Sequence, residues 1–261
     1  MNPLLYNSRT KEPAMIFPEW TTGNTILYIA LAVLGVGVAP GEYYGQTMMY
    51  YSKFRRVGGI PSRLYMFFIY SAPIVALFFS VRGYLPNANL VQWIVGGAVF
   101  IHFLKRVLES LFLHKYSGTA GILTALLVGS FYSFAAYLIG WLNQNPIPVV
   151  DAWFVLGILV FLVGIGGNFY HHKLLADLRM DSLDYFIPRG GLFKHVICPH
   201  YLFEIITWLG IALLSRHLAA WLILLFVFDY LSARAIRTLA WYRERFKDFP
   251  IERKAIFPFI L

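Results

Sequence analysis

His200 and Glu204 stand one helical turn apart in a segment apolar enough to lie in a membrane, and they have company. Asn168, His171 and His172 precede Arg179 by seven to eleven residues, and Asp229, Arg234 and Arg237 punctuate a second apolar run. Polar groups in hydrocarbon are costly and usually mark a ligand or a reaction. Arginine forks suit phosphate and pyrophosphate oxygens. A buried carboxylate such as Glu204 needs a donor, which Arg234, His200 or a ligand carboxamide could supply. The pattern points to a membrane enzyme rather than a membrane scaffold.

Upstream, His102, Arg106 and Glu109 are spaced i, i+4, i+7, and Lys105 precedes Glu109 by four, so one helix face carries both signs of charge. Snorkelling bases at a span end would look the same. In Gly164-Ile-Gly-Gly-Asn168-Phe-Tyr-His171-His172 the glycines permit close helix packing. With no preceding strand and no acidic residue at ribose distance, they do not make a dinucleotide fingerprint. His171 and His172 lack an i, i+4 histidine partner and a nearby carboxylate, so no metal is expected. The loop Tyr185-Phe-Ile-Pro188-Arg-Gly190-Gly191 is basic and could bring backbone close to a ligand, or could be a solvated loop. The tail from Trp241 alternates bases with aromatics, as an interfacial segment on anionic lipid does.

These residues must be carried by membrane helices. The chain has 261 residues, of which 59% are hydrophobic and 13% charged, against about 25% charged in soluble domains. One cysteine, Cys198, excludes a disulfide framework. The net charge of +9 fits basic loops better than nucleic acid, for which no module is present. Apolar runs at Thr25–Pro40, Leu64–Ser80, Leu90–Leu113, Gly121–Trp141, Ala152–Tyr170, Tyr201–Leu214 and Leu218–Ile236 give an all-α integral membrane protein with seven transmembrane helices. The sixth run is short and could be tilted or re-entrant. Pro40, Pro61, Pro86, Pro146, Pro148 and Pro188 read as breakers at or beyond span ends. Met1–Trp20 is polar and does not read as a cleavable signal. Seven spans gather most Lys and Arg on one side, which places the N-terminus in the lumen and the C-terminus in the cytosol. A single membrane domain is expected, with residues 1–150 on the substrate side and 151–261 forming the cofactor-binding region.

The motifs together resemble the steroid 5α-reductase family. The resemblance runs through Gly-Asn168, Leu-Arg179, Tyr185 with Ile-Pro188-x-Gly-Gly-Leu-Phe193, Glu204 with Trp208-Leu-Gly, Arg234-Ala, and Tyr242-x-x-x-Phe246-x-Asp-Phe-Pro250 to the closing Arg-Lys-Ala-Ile-x-Pro-Phe. It implies a seven-helix fold holding NADPH on the cytosolic side, residence in the endoplasmic reticulum, and hydride transfer to a double bond conjugated to a carbonyl. Carried over by position, Asn168, Arg179, Tyr185, Glu204, Arg234 and Tyr242 resemble the NADPH set, joined by Arg106, His172 and His200. His200, His172 and Thr238 depart from the family's usual residues. So does the acid pair: where steroid reductases carry Gln-Glu-x-Pro and a tyrosine, this chain has Tyr70-Ser71-Ala72-Pro73 and Phe103 after His102. Span three instead is similar to very-long-chain trans-2-enoyl-CoA reductases, and the whole to plant steroid-reductase-like proteins.

The expected reaction is NADPH-dependent reduction of a Δ4-3-oxosteroid-like lipid, with a very-long-chain trans-2-enoyl-CoA as the alternative substrate. Basic residues Arg55, Arg56 and Lys115 would suit a CoA ester at the mouth. Since Ser71 and Phe103 cannot act as the acid, Lys105, oriented by Glu109, is the expected proton donor, with Tyr242 second. Tyr70, Ser71, His102, Phe103 and Trp208 are the expected substrate contacts. A membrane methyltransferase using S-adenosylmethionine, or a non-catalytic lipid-binding relative, are the competing readings.

Overall fold

The computed structural model describes residues 15–45, 59–116, 118–178 and 184–261, which are almost entirely helical. Seven helices follow in order: α1 (Thr22–Tyr43), α2 (Ser62–Val81), α3 (Leu90–Leu108), α4 (Ile122–Leu142), α5 (Ala152–Asp177), α6 (Pro199–Ser215) and α7 (Leu218–Arg245). A π-helical turn, Glu109–Leu113, continues α3. Strands of two residues, β1 (Ile60–Pro61) and β2 (Thr119–Ala120), pair antiparallel below α2 and α4. Local sequence sets the starts. The Thr21 hydroxyl accepts from the Asn24 amide, Asn89 and Gln92 form a reciprocal capping box, and the Asp151 carboxylate accepts from the Phe154 amide. Pro199 occupies the first turn of α6, where its missing N–H costs nothing.

Six of these helices, α1 to α5 and α7, are long and apolar enough to cross a membrane; α6, at 17 residues, is shorter. Many large apolar side chains point outward, among them Val33, Phe78, Leu126 and Leu159, as lipid-facing positions require. The molecule is a multi-pass integral membrane protein.

Packing pairs α5 with α6, α2 with α4, and α1 with α7. Along the α5–α6 seam small residues let backbones touch. A Cβ on Gly164 would lie 2.4 Å from the Thr207 amide nitrogen, and one on Gly210 would lie 2.5 Å from that of Phe161. Gly157 rests on Leu213 and Leu214, and Gly167 rests on Phe203. The two helices therefore run antiparallel in contact over about three turns, the small-residue packing that membranes favour.

α1 is held to α7 by charge. The Glu42 carboxylate, fully buried, accepts from Arg234 Nη1 and Arg237 Nη1, each at 2.8 Å. Glu42 does not stand out in the sequence, being the one acid at the end of an apolar run.

The helices outrun the expected spans. α5 continues seven residues beyond Tyr170 to Asp177, and α7 nine beyond Ile236 to Arg245. Hydropathy reports polarity, whereas His171, His172, Arg237 and their neighbours stay helical because internal partners satisfy them. Pro40 is a further correction. It lies inside α1, one turn before its end, and the Tyr44 amide still bonds its carbonyl.

The tight α6–α7 turn yields a pH prediction. Its helix cap His217 is buried, and that burial holds the imidazole at about 4, against a slight opposing pull from the Leu142 carbonyl. The folded protein therefore keeps His217 neutral, while the unfolded chain takes up a proton below its ordinary value near 6.5. The stabilisation is complete above that value and is lost as pH falls toward about 4. Going from pH 7.5 to pH 5 is expected to cost about 2 kcal/mol, roughly 4–8 °C in melting temperature. A His217→Asn protein should lose visibly less; identical pH dependence of the two melting curves would refute the assignment.

Candidate active site

One end of the bundle encloses a cavity of about 240 Å³. Its wall takes Tyr65 and Tyr70 from α2, Arg106 from α3, Tyr132 from α4, Asn168 and His172 from α5, His200, Tyr201 and Glu204 from α6, and Tyr242 from α7. Tyr185 and Phe186, from the loop between α5 and α6, close the mouth together with His114, Lys115 and Tyr116. Both halves of the chain contribute to this one space.

Behind the wall lies a connected charge network. Glu109 takes the Lys105 ammonium on Oε1 at 2.8 Å and the Arg106 guanidinium on Oε2 at 2.7 Å. Arg106 also donates to the Tyr70 hydroxyl at 2.6 Å, and its Nη1 lies 2.9 Å from His172 Nδ1. The Lys105 ammonium donates to Asn168 Oδ1. The carboxamide nitrogen of Asn168 then donates to Glu204 Oε2 at 3.0 Å and to the His200 carbonyl at 2.8 Å. Glu204 Oε1 stands 3.4 Å from His102 Nε2. Two carboxylates thus answer two cations, the balance a buried ionic cluster needs.

The π-helical turn places part of this set. Closing the His114 amide onto the Glu109 carbonyl widens the helix by one residue and brings the His114 ring edge-on to His172, 5.0 Å between centroids. Such turns recur at functional sites. Burial, with His172 and Arg106 adjacent, pushes the His114 imidazole well below its ordinary range, so it is neutral near pH 7. Burial pushes the Tyr116 phenol up, so it keeps its proton.

The loop 184–198 is tied down at several points. Tyr242 donates to the Phe186 carbonyl at 3.3 Å, Arg253 to the Pro188 carbonyl at 2.8 Å, and the Leu192 amide to His171 Nε2 at 3.1 Å. Gly191 has φ +47°, and a Cβ there would sit 2.8 Å from His171 Nε2, so this position demands glycine. The tail clasps the same loop through Ile197 and Cys198 amides bonded to the Lys254 and Ala255 carbonyls.

A smaller pocket of about 30 Å³ lies between α4, α6 and α7, and shares Tyr132, Glu204 and Leu231 with the main cavity. Val128, Phe131, Trp208, Phe226, Val227 and Tyr230 make it apolar and aromatic.

The expected site residues divide accordingly. Asn168, His172, Tyr185, His200, Glu204, Tyr242, Arg106 and Tyr70 line the main cavity, and Trp208 lines its inner extension. Glu109, His102 and Phe103 stand behind the wall; the rings of His102 and Phe103 pack on Trp208 at 5.2 and 6.2 Å. Lys105 is not among the lining side chains, since its ammonium is turned to Asn168 and Glu109. Ser71 also lies off the wall, its hydroxyl bonded to the Phe68 carbonyl of its own helix. Arg234 does not serve Glu204, because Glu42 claims it. Arg179, Arg55 and Arg56 fall outside the described residues. Tyr116, Tyr132 and Tyr201 are not among the expected site residues; an aromatic at a span end looks like an interface anchor until the fold turns it inward.

The premise against a metal also changes. The fold brings Glu109 to His172 and His114, with ligand atoms within 4.8 Å of one another. Arg106 Nη1 bonds both Glu109 and His172, however, so a guanidinium already fills the place a cation would take.

Comparison with known proteins gives four concordant matches. The family described as "3-oxo-5-alpha-steroid 4-dehydrogenase" matches residues 116–261. "3-oxo-5-alpha-steroid 4-dehydrogenase 1" of Rattus norvegicus is 32% identical over 209 residues, 77% of each chain. "Very-long-chain enoyl-CoA reductase" of Dictyostelium discoideum is 31% identical over 168 residues, covering 62% of this chain and 55% of that protein. "Steroid 5-alpha-reductase DET2" of Gossypium hirsutum is 41% identical over 109 residues, covering 41% of this chain and 42% of that protein.

Proposed function

Because the chain belongs to the 3-oxo-5-alpha-steroid 4-dehydrogenase family, we propose that it is an NADPH-dependent reductase of a carbon–carbon double bond conjugated to a carbonyl in a lipid. The observation that carries the reading is the Asn168–Glu204 pair on the cavity wall, 3.0 Å apart. Asn168 gives its amide hydrogens to Glu204 and the His200 carbonyl and so holds in place a carboxylate with lone pairs left to accept from a nicotinamide carboxamide, while the phenol of Tyr185 adds a ribose partner. Lys115 at the mouth suits a phosphate, and this side would face the cytosol. When bound, the nicotinamide supplies a hydride to the β-carbon of the enone.

The rest falls to the protein. As the β-carbon gains electrons, negative charge develops on the carbonyl oxygen and a proton must reach the α-carbon. Lys105 and Glu109 are positioning residues in this reading, fixing which face of Asn168 is offered to the ligand. Tyr242 lines the cavity and, by giving up its 3.3 Å hydrogen bond to the Phe186 carbonyl, takes the proton-donor role that the sequence first assigns to Lys105. The aromatic inner pocket keeps water from the reacting end of the substrate. A Δ4-3-oxosteroid is the first reading, since the recess beyond Glu204 is lined mostly by apolar and aromatic side chains; a very-long-chain trans-2-enoyl-CoA is the second, favoured by Lys115 at the mouth.

Detergent-purified protein offered NADPH with each substrate in parallel decides the matter. Oxidation of NADPH with one substrate, falling at least tenfold in Tyr242→Phe, is the expected result. Failure to bind NADPH would refute the reading and favour a methyltransferase or a non-catalytic lipid binder.

A further inference from the structure

The indole nitrogen of Trp208 is buried and has no acceptor among the described residues. Trp208 is 1% exposed and is held between His102 and Phe103. A buried donor without a partner is destabilising, and native structures keep few of them. Others exist here, in Ser215, His217, Trp221, Ser232 and Thr238, but none of those residues lines the main cavity or its inner extension. Trp208 does line the extension, one helical turn beyond Glu204, the residue that the two spaces share.

The donors of the family's acid pair are missing at that point. The position beside His102 is Phe103, which has no proton to share, and Ser71 spends its hydroxyl on its own helix. Val128, Phe131, Phe226 and Val227 offer nothing polar, and the phenols of Tyr132 and Tyr230 accept as well as donate, unlike indole. Glu204 repels an oxygen arriving there, whereas the Trp208 N–H, which has no acceptor among the described residues, attracts it. Indole donates without accepting and does not ionise, so it recognises a carbonyl oxygen and discriminates against a hydroxyl's proton.

We propose that the indole N–H of Trp208 binds the carbonyl oxygen of the substrate and stabilises the charge that develops on it. The inference rests on the reductase reading for the identity of the carbonyl. It assigns Trp208 polarisation alone; the hydride comes from NADPH and the α-carbon proton from a separate group, so the electron pair ends in the new C–H bonds.

The test sets each carbonyl ligand against its carbonyl-free counterpart: a Δ4-3-oxosteroid against the 3-deoxysteroid, and a trans-2-enoyl-CoA against the alkyl-CoA thioether. Ultraviolet resonance Raman spectra of wild-type protein, minus those of Trp208→Phe, isolate the N–H mode of this one indole. The expected result is a shift of that mode toward the hydrogen-bonded position with the carbonyl ligand only. Trp208→Phe should bind NADPH normally, lose the preference for the carbonyl ligand, and fall about 10²–10³-fold in kcat/KM. A mode indifferent to the carbonyl, or a Trp208→Phe protein that keeps both preference and turnover, overturns the proposal while leaving the reductase reading intact. Wild-type protein that oxidises no NADPH and binds neither carbonyl ligand overturns both.

Discussion

Glu204→Ala is expected to lower NADPH-dependent turnover by about 10²–10³-fold and to weaken NADPH binding at least tenfold. The carboxylate accepts from Asn168, stands 3.4 Å from His102, and lies where the main cavity opens into its aromatic extension. Its removal leaves the Asn168 carboxamide half-satisfied and the cations Lys105 and Arg106 facing Glu109 alone. A buried set that loses one charge is penalised beyond the lost contact. Glu204→Gln separates the two contributions. It keeps the shape and can still accept from Asn168, so it should fold like the wild type while losing most of the turnover. Steady-state kinetics and an NADPH titration of both variants check this. Wild-type KM and kcat in Glu204→Gln would show that the negative charge is dispensable, and the nicotinamide assignment would fail with it.

The second large effect lies away from the cavity. Gly164→Val is expected to abolish NADPH binding although position 164 touches no ligand. The new Cβ would meet the Thr207 amide nitrogen at 2.4 Å and its Cα at 2.7 Å, backbone atoms that have no room to yield. α5 must lift from α6, and Asn168, one turn further along α5, is pulled from Glu204 and the His200 carbonyl. Overpacking of this kind costs about 1–3 kcal/mol or more in stability. Gly166 is the control. Its Cβ would meet nothing within 4 Å, so Gly166→Ala should bind NADPH as the wild type does. Equal affinity in Gly164→Val and Gly166→Ala would mean that the α5–α6 seam does not set the geometry of the site.

Much of the fold is legible in the sequence because lipid imposes a simple rule: a span must be apolar and helical throughout. The run Leu90–Leu113 coincides with α3 plus its π turn, and the short sixth run is the helix that falls below spanning length. The helix ends beyond the hydrocarbon were not legible, since their polar residues are satisfied by partners far away in sequence. The Lys105–Glu109 pair could be read from i, i+4 spacing; that Lys105 also reaches Asn168, 63 residues on, could not. Spacing along one helix is local information, whereas which way a cation turns depends on the neighbouring helix. For the same reason nothing in the sequence singles out Tyr132 or Glu42, whose partners Tyr70 and Arg234 lie on other helices.

Glu42 also bears on how the protein is made. Its partner Arg234 lies 192 residues further along the chain. At about 5–20 residues per second of synthesis, α1 reaches the bilayer roughly 10–40 s before α7 exists. During that interval the nascent chain carries an unmatched carboxylate at the membrane surface. Entry of the last helix is what lets the first one settle, so the ribosome must nearly finish before the opening segment has its final place. A product shortened by losing α1 would take from Arg234 and Arg237 the carboxylate they share, and quality control would meet it as an unassembled chain.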